Sequence, residues 1–201
     1  MGEAARLDAK RIARALEFAV ARHKKPRKRK KEPYATHLLR VASLVMQLGG
    51  NSTQIAAALL HDTLEDTDTT VAELRRSFGP RIAEMVRTLS EPRDPRAPGG
   101  KGPYGERKQA YLTQLRRADR RTRLVAACDK LDNLRDIAQD LSHHGPRFLD
   151  RFSGSPRQTR WYYEQAFRTL KGALPPRHRH EFETLLGDLA RHVGEPASRE
   201  P

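Results

Sequence analysis

An all-α fold, a single helical bundle of about eight to ten helices, is what this sequence predicts. Apolar residues recur at intervals of three and four through nearly every segment, the spacing that lays a stripe along one helix face. No segment shows the strict alternation of a half-buried strand, and no internal repeat stands out. The breaks between stripes carry N-capping Asn, Ser and Thr and helix-ending Gly and Pro.

Taken in order, residues 7–23 place Leu7, Ile12, Ala15, Leu16, Ala19 and Val20 on a first stripe. Seven of the eight residues after His23 are basic, and Pro26 among them breaks the helix, so this run is read as a loop. Its bland reading is a solvated charge run, its functional reading a rim that gathers phosphates. A second helix spans Pro33 to Leu48 through Leu38, Leu39, Val41, Ala42, Leu44 and Val45, holds His37 in its first turn and ends at Gly49-Gly50. Asn51 or Ser52 caps a central helix expected to continue to about Asp66. Thr70 with Glu73 makes a capping box for Val71 to Phe78, and Gly79-Pro80 restarts the chain into Ile82 to Leu89. Residues 91–105, crowded with Pro and Gly, form a loop too long to be a mere connection. A helix follows from Glu106 to about Ala118, and the apolar run Leu124 to Cys128 leads into Asp129. Ser155-Pro156 opens a helix carrying Trp161, Tyr162, Ala166, Phe167 and Leu170, and a last helix covers about Arg179 to Val193.

A chain of 201 residues can bury one core, so residues 1–193 are read as one domain and 194–201 as a frayed tail. Hydrophobic residues at 37% and aromatics at 6% make that core mainly aliphatic. No apolar run approaches the roughly 20 residues that span a bilayer, and the first residues lack a secretory apolar stretch. The single cysteine, Cys128, excludes an internal disulfide and a multi-cysteine zinc site and reads as a small buried apolar residue. A reduced, cytoplasmic protein without a membrane partner is the expectation. The net charge of +14 points to an anionic partner (nucleic acid, a nucleotide or a phosphate-rich surface) without choosing among them.

The chemistry gathers at Leu59-Leu60-His61-Asp62-Thr63-Leu64-Glu65-Asp66-Thr67, where an apolar helix runs straight into a histidine and three acids. On a helix His61 and Glu65, and Asp62 and Asp66, stack at i, i+4 on one face. Unpaired acids are too costly in a dry interior to be filler. His61 and Asp62 are read as metal ligands and Glu65 and Asp66 as the groups that orient water and move its proton. Three separated helices each set a ligand beside an apolar run: His37, then His61 with Asp62, then Asp129. Two imidazoles and two carboxylates suit manganese, iron or zinc better than calcium. His143-His144 and His178/His180 lie among Gly, Pro and Arg and read as surface.

These words also carry a resemblance. The pattern His37, His61-Asp62, Asp129 is similar to the HD-domain metal phosphohydrolases. The segments Glu32-Pro33-Tyr34-Ala35-Thr36-His37, Ala57 to Thr67 and Cys128 to Asp136 resemble the hydrolase domain of RelA/SpoT proteins, most of all the stand-alone small alarmone hydrolases of the metazoan SpoT-homologue type. The resemblance covers about residues 7–175. It implies an HD-domain helical bundle, Mn2+ on His37, His61, Asp62 and Asp129, and Glu65 and Asp66 activating water. It implies hydrolysis of the 3′-pyrophosphate of ppGpp or pppGpp to GDP or GTP and pyrophosphate, the degradation step of the stringent response. It further implies substrate contacts from Asn133 near the ribose, from Tyr162 on a late helix, and from Arg107 and Lys108 toward the pyrophosphate. In the basic loop Lys28 stands where the family has a base-stacking arginine, and Arg29 where it has a lysine. Lysine lacks the planar guanidinium that stacks on a purine, so Arg27 or Arg29 would have to substitute. Asp132 departs from the family, which often has an aromatic or His there. No chain is left for synthetase or regulatory domains, so hydrolysis without synthesis is expected.

Two rival readings are kept. The same scaffold could take ppApp or the 2′-phosphate of NADPH. A basic RNA- or DNA-binding module is disfavoured, because phosphate-backbone binding has no use for acids beside the histidines and no aromatics interleave the basic loop. The sequence leaves open whether the chain pairs as a homodimer.

Overall fold

The computed structural model describes residues 7–27, 32–93, 96–97 and 100–193. Among these it contains ten α-helices and no strand. They are α1 (Ala9–Arg22), α2 (Tyr34–Gln47), α3 (Ser52–Leu60), α4 (Thr63–Asp66), α5 (Val71–Phe78), α6 (Pro80–Leu89), α7 (Tyr104–Arg117), α8 (Arg120–His144), α9 (Pro156–Leu170) and α10 (Pro176–Val193). Short 3-10 turns at Pro146–Arg151 and Lys171–Ala173 join α8 to α9 and α9 to α10. The all-α expectation is met. None of the described helices is long and apolar enough to cross a membrane.

Helix α3 is the axis of the fold. Ile55 to Leu60 are all buried, and α1, α2, α6 and α8 pack around it. Asn51 and Gln54 close its start as a reciprocal capping box, worth about 1 kcal/mol. Gly49 and Gly50 make the preceding turn for different reasons. Gly49 takes φ +77°, and a Cβ on Gly50 would collide with Val45 Cγ1. On the far side α9 and α10 cover α8, and α7 leans on α9.

The structure corrects several expected details. The central helix does not run unbroken to Asp66. It stops at Leu60, passes through Asp62 at φ −91°, ψ −5°, and resumes as the single turn α4. The Thr63 hydroxyl donates to the Leu60 carbonyl at 2.7 Å, satisfying a group the break would strand. Only half of the Thr70–Glu73 box forms: Thr70 accepts from the Glu73 amide, while the Glu73 carboxylate pairs with Arg22. Leu39, Val20 and Leu7 are exposed by 47%, 49% and 40%. Leu39 and Val20 lie at the margins of their stripes, where Leu38 and Ala19 take the buried side, and Leu7 precedes the start of α1. The last helix starts three residues early, at Pro176, where a proline costs no hydrogen bond. The tail 194–201 lies outside the described residues.

Candidate active site

Three of the helices around the core deliver ligand atoms to one point. His37 is in the first turn of α2, His61 closes α3, and Asp129 lies midway along α8. All three are buried, and their ligand atoms lie within 4.8 Å of one another. The two Nε2 atoms are 3.2 Å apart. Asp62 Oδ2 stands 3.6 Å from His37 Nε2 and 3.2 Å from His61 Nε2, and Asp129 Oδ1 stands 3.4 and 3.5 Å from them.

The outer ring nitrogens decide what that point is for. His61 Nδ1 lies 2.7 Å from the Ala58 carbonyl, which can only accept, so Nδ1 carries the proton. His37 Nδ1 lies 2.7 Å from Asp132 Oδ2 and donates to it. In the neutral rings both Nε2 atoms therefore turn a bare lone pair toward each other and toward two carboxylates. Electron pairs from both imidazoles and Asp129 converge at one buried point, with Asp62 Oδ2 beside the two rings, and call for a cation; this outward anchoring is how metal-binding histidines are held. Donors about 2.1 Å from a shared ion sit about 3.0–3.4 Å apart, close to the spacing seen. The set fits a divalent metal.

The field at this point favours positive charge, whether a proton or a metal ion. Burial alone would lower His61, but the Asp62 and Asp129 carboxylates carry it well above the ordinary histidine value. Burial likewise pushes Asp62 and Asp129 up. For Asp62 the histidines outweigh it, and for Asp129 Lys130 and His61 do, so both carboxylates end low and ionised.

A cavity of about 200 Å³ opens over this point, lined among others by Arg27, Tyr34, Glu65, Asp66, Lys108 and Asn133. Glu65 Oε1 accepts the Glu91 amide at 2.8 Å, and burial, then the charges of Asp62 and Glu91, raise its pKa. Tyr34 places its hydroxyl 2.7 Å from Asp62 Oδ2 and 2.6 Å from Asp66 Oδ2, bridging the two acids. Burial and those two charges hold it far above the ordinary tyrosine range, so it stays a donor.

Of the expected substrate contacts, Lys108 and Asn133 line this cavity. Arg107 instead lines a neighbouring one of about 510 Å³ that shares Glu65 and Glu91 as a wall. Tyr162 is displaced from its expected place on the pocket wall: it is buried, with the Lys108 ammonium 4.1 Å from its ring centroid, and Tyr163 lines the cavity in its stead. Successive residues on a helix point about 100° apart, so one of the pair must turn inward. Lys28 and Arg29 lie outside the described residues. His143, His144 and His180 are exposed, His178 is partly so, and Cys128 is fully buried.

The sequence reading missed Tyr34, Glu91, Lys130 and the role of Asp132. Lys130 binds Asp129 Oδ2 at 2.6 Å and lies over the Tyr111 ring. Glu91 accepts from both Arg107 and Lys108. Burial would raise Glu91, and those two cations bring it below the ordinary value instead. Glu91→Gln should therefore cost about 3 kcal/mol or more at pH 7, since it strands two largely buried cations. Because the folded value is depressed, this stabilisation is complete above the unfolded value of about 4.3 and is lost as pH falls through the folded one. Urea unfolding of both proteins at pH 7 and pH 3.5 checks it. An equal gap at the two pH values would refute the assignment.

The HD domain family pattern matches residues 15–151. The chain belongs to the HD domain family. Within this HD family it is similar to a guanosine-3′,5′-bis(diphosphate) 3′-pyrophosphohydrolase of Aquifex aeolicus, 39% identical over 132 residues that make up 64% of this chain and 18% of that protein. The chain thus spans under a fifth of that relative's length. It covers 71% of a Xenopus tropicalis protein of the same name, MESH1, at 35% identity over 65% of its own residues. A solved metazoan orthologue of SpoT, described as hydrolysing ppGpp, superposes with TM-score 0.68 at 24% identity, covering 94% of this chain and 99% of that one. The fold is therefore that HD bundle, and the resemblance to the RelA/SpoT hydrolase type, small metazoan form included, is borne out.

Proposed function

We propose that residues 1–193 act as one hydrolase unit that removes the 3′-pyrophosphate of ppGpp or pppGpp in the cytoplasm, with manganese held by His37, His61, Asp62 and Asp129. The reading rests on one observation above all: two buried Nε2 atoms 3.2 Å apart face each other between carboxylates. The names carried by the HD relatives support the substrate class. The net charge of +14 suits an anionic nucleotide.

A bound divalent ion would polarise the phosphoryl oxygen and make the attacking water more acidic. The chain supplies the rest. Glu65 and Asp66 orient that water and take its proton. Tyr34 holds the Asp66 and Asp62 carboxylates in register. Lys108 and Lys130 neutralise the pyrophosphate, Asn133 meets the ribose, and Tyr162 fixes Lys108 from beneath. Lys28, Arg29 and Arg107 contribute positive charge at the rim. Water adds to the phosphorus bonded to the ribose 3′-oxygen, that P–O bond breaks, and the oxygen leaves with a proton as a hydroxyl.

Turnover of ppGpp, ppApp and NADPH, assayed in parallel with manganese, tests this. Release of pyrophosphate from ppGpp at the highest kcat/KM is expected. Turnover of ppApp or NADPH alone would move the substrate to an adenine nucleotide, and turnover of none would overturn the reading.

A further inference from the structure

Arg27 belongs by sequence to the basic run, yet it does not behave like its neighbours. Lys24 and Lys25 are exposed, whereas the Arg27 side chain is only 12% exposed and turned into the site. Its guanidinium reaches two acceptors on α8: Nη1 binds the Asp136 carboxylate and Nη2 binds Asn133 Oδ1. Each contact continues inward. Asn133 Nδ2 donates to Asp129 Oδ1, the atom that faces both imidazoles. Asp136 Oδ2 also accepts from Arg40 Nη2 at 2.9 Å, Arg40 Nε donates to Asp132 Oδ1 at 2.8 Å, and Asp132 Oδ2 accepts the hydrogen bond from His37 Nδ1–H. Asp129, Asp132, Asn133 and Asp136 are spaced i, i+3, i+4 and i+7 on α8, so they share one face.

We infer that Arg27 is a positioning residue for the metal site, holding Asp129 through Asn133 and His37 through Asp136, Arg40 and Asp132. The inference rests on the proposed metal-binding reading and goes beyond it, since it assigns a residue of the basic loop to the ion rather than to the phosphates. The fork of the guanidinium is what makes this work: two acceptors about one helical turn apart are held by one rigid plane. Asp132 has its place here too. It fixes the tautomer of His37 and is itself fixed by Arg40.

Manganese affinity, measured by calorimetry without nucleotide, separates this from a substrate-binding role. Arg27→Ala should weaken manganese binding by up to about tenfold, the low end of the cost of losing a direct partner of a ligand, because Arg27 acts through Asn133 and Asp136. Arg27→Lys, which keeps the charge but reaches one acceptor at a time, should fall between. Lys25→Ala, removing the same charge from the exposed part of the run, should leave manganese affinity unchanged. Arg27→Gln repeats the measurement should the alanine variant fail to fold. Wild-type affinity in the Arg27 variants, with only KM for ppGpp raised, would overturn the inference while leaving the functional reading intact. Failure of the wild-type protein to bind manganese at all would overturn both.

Discussion

Asp62→Ala is expected to yield a folded protein that retains no manganese and hydrolyses ppGpp at least about 10³-fold more slowly. The size follows from the chemistry lost, because polarising a phosphoryl oxygen and acidifying water are together worth several kcal/mol and each 1.4 kcal/mol is about tenfold. Of the four proposed ligands, Asp62 is the cleanest to remove. Its side chain is 21% exposed, between α3 and α4, and Tyr34 keeps its second acceptor on Asp66. Asp129 by contrast also carries the buried Lys130, so its removal would strand a cation and confound stability with activity. Elemental analysis, thermal unfolding and turnover on one preparation decide the matter. A metal-replete, active Asp62→Ala protein would contradict the assignment.

Glu65→Gln should separate water handling from metal holding. Manganese is expected to stay bound while kcat falls about 10²- to 10⁴-fold, the range for losing a positioned general base. The pH dependence has a definite sign. Burial and the neighbouring Asp62 and Glu91 charges raise Glu65, so the wild-type rate should climb with pH through a value above the ordinary glutamate range. The glutamine variant should lose that limb. By linkage the raised value means that ionised Glu65 costs the fold stability as pH rises past its unfolded value. At neutral pH Glu65→Gln should thus be at least as stable as wild type, the opposite of Glu91→Gln. A glutamine variant with wild-type kcat, or one that has lost its metal, would reassign Glu65.

Much of this arrangement is legible in the sequence alone. The stripe of α2 and the continuous apolar run of α3 set His37 and His61 beside buried residues, and Asn51, Thr70 and Ser155 mark helix starts as caps. What was not legible depends on partners distant in sequence. The break at His61–Asp62 serves contacts to Tyr34 and the Asp129 region that no local propensity records. Asp132 looked anomalous because its meaning lies in Arg40 and His37, more than 90 residues away. Its spacing from Asp129 and Asp136 on one helical face was the available signal. Tyr162 and Tyr163 are adjacent aromatics on an amphipathic helix, and periodicity alone does not say which of them turns to the cavity.

Everything depends on whether two imidazoles and two carboxylates share one cation. Equilibrium dialysis of the wild-type chain and of His61→Ala against manganese, followed by elemental analysis, asks this directly. One ion per wild-type chain and none in the variant is the expected result. An ion-free wild-type protein, or an ion that persists in His61→Ala, would contradict it.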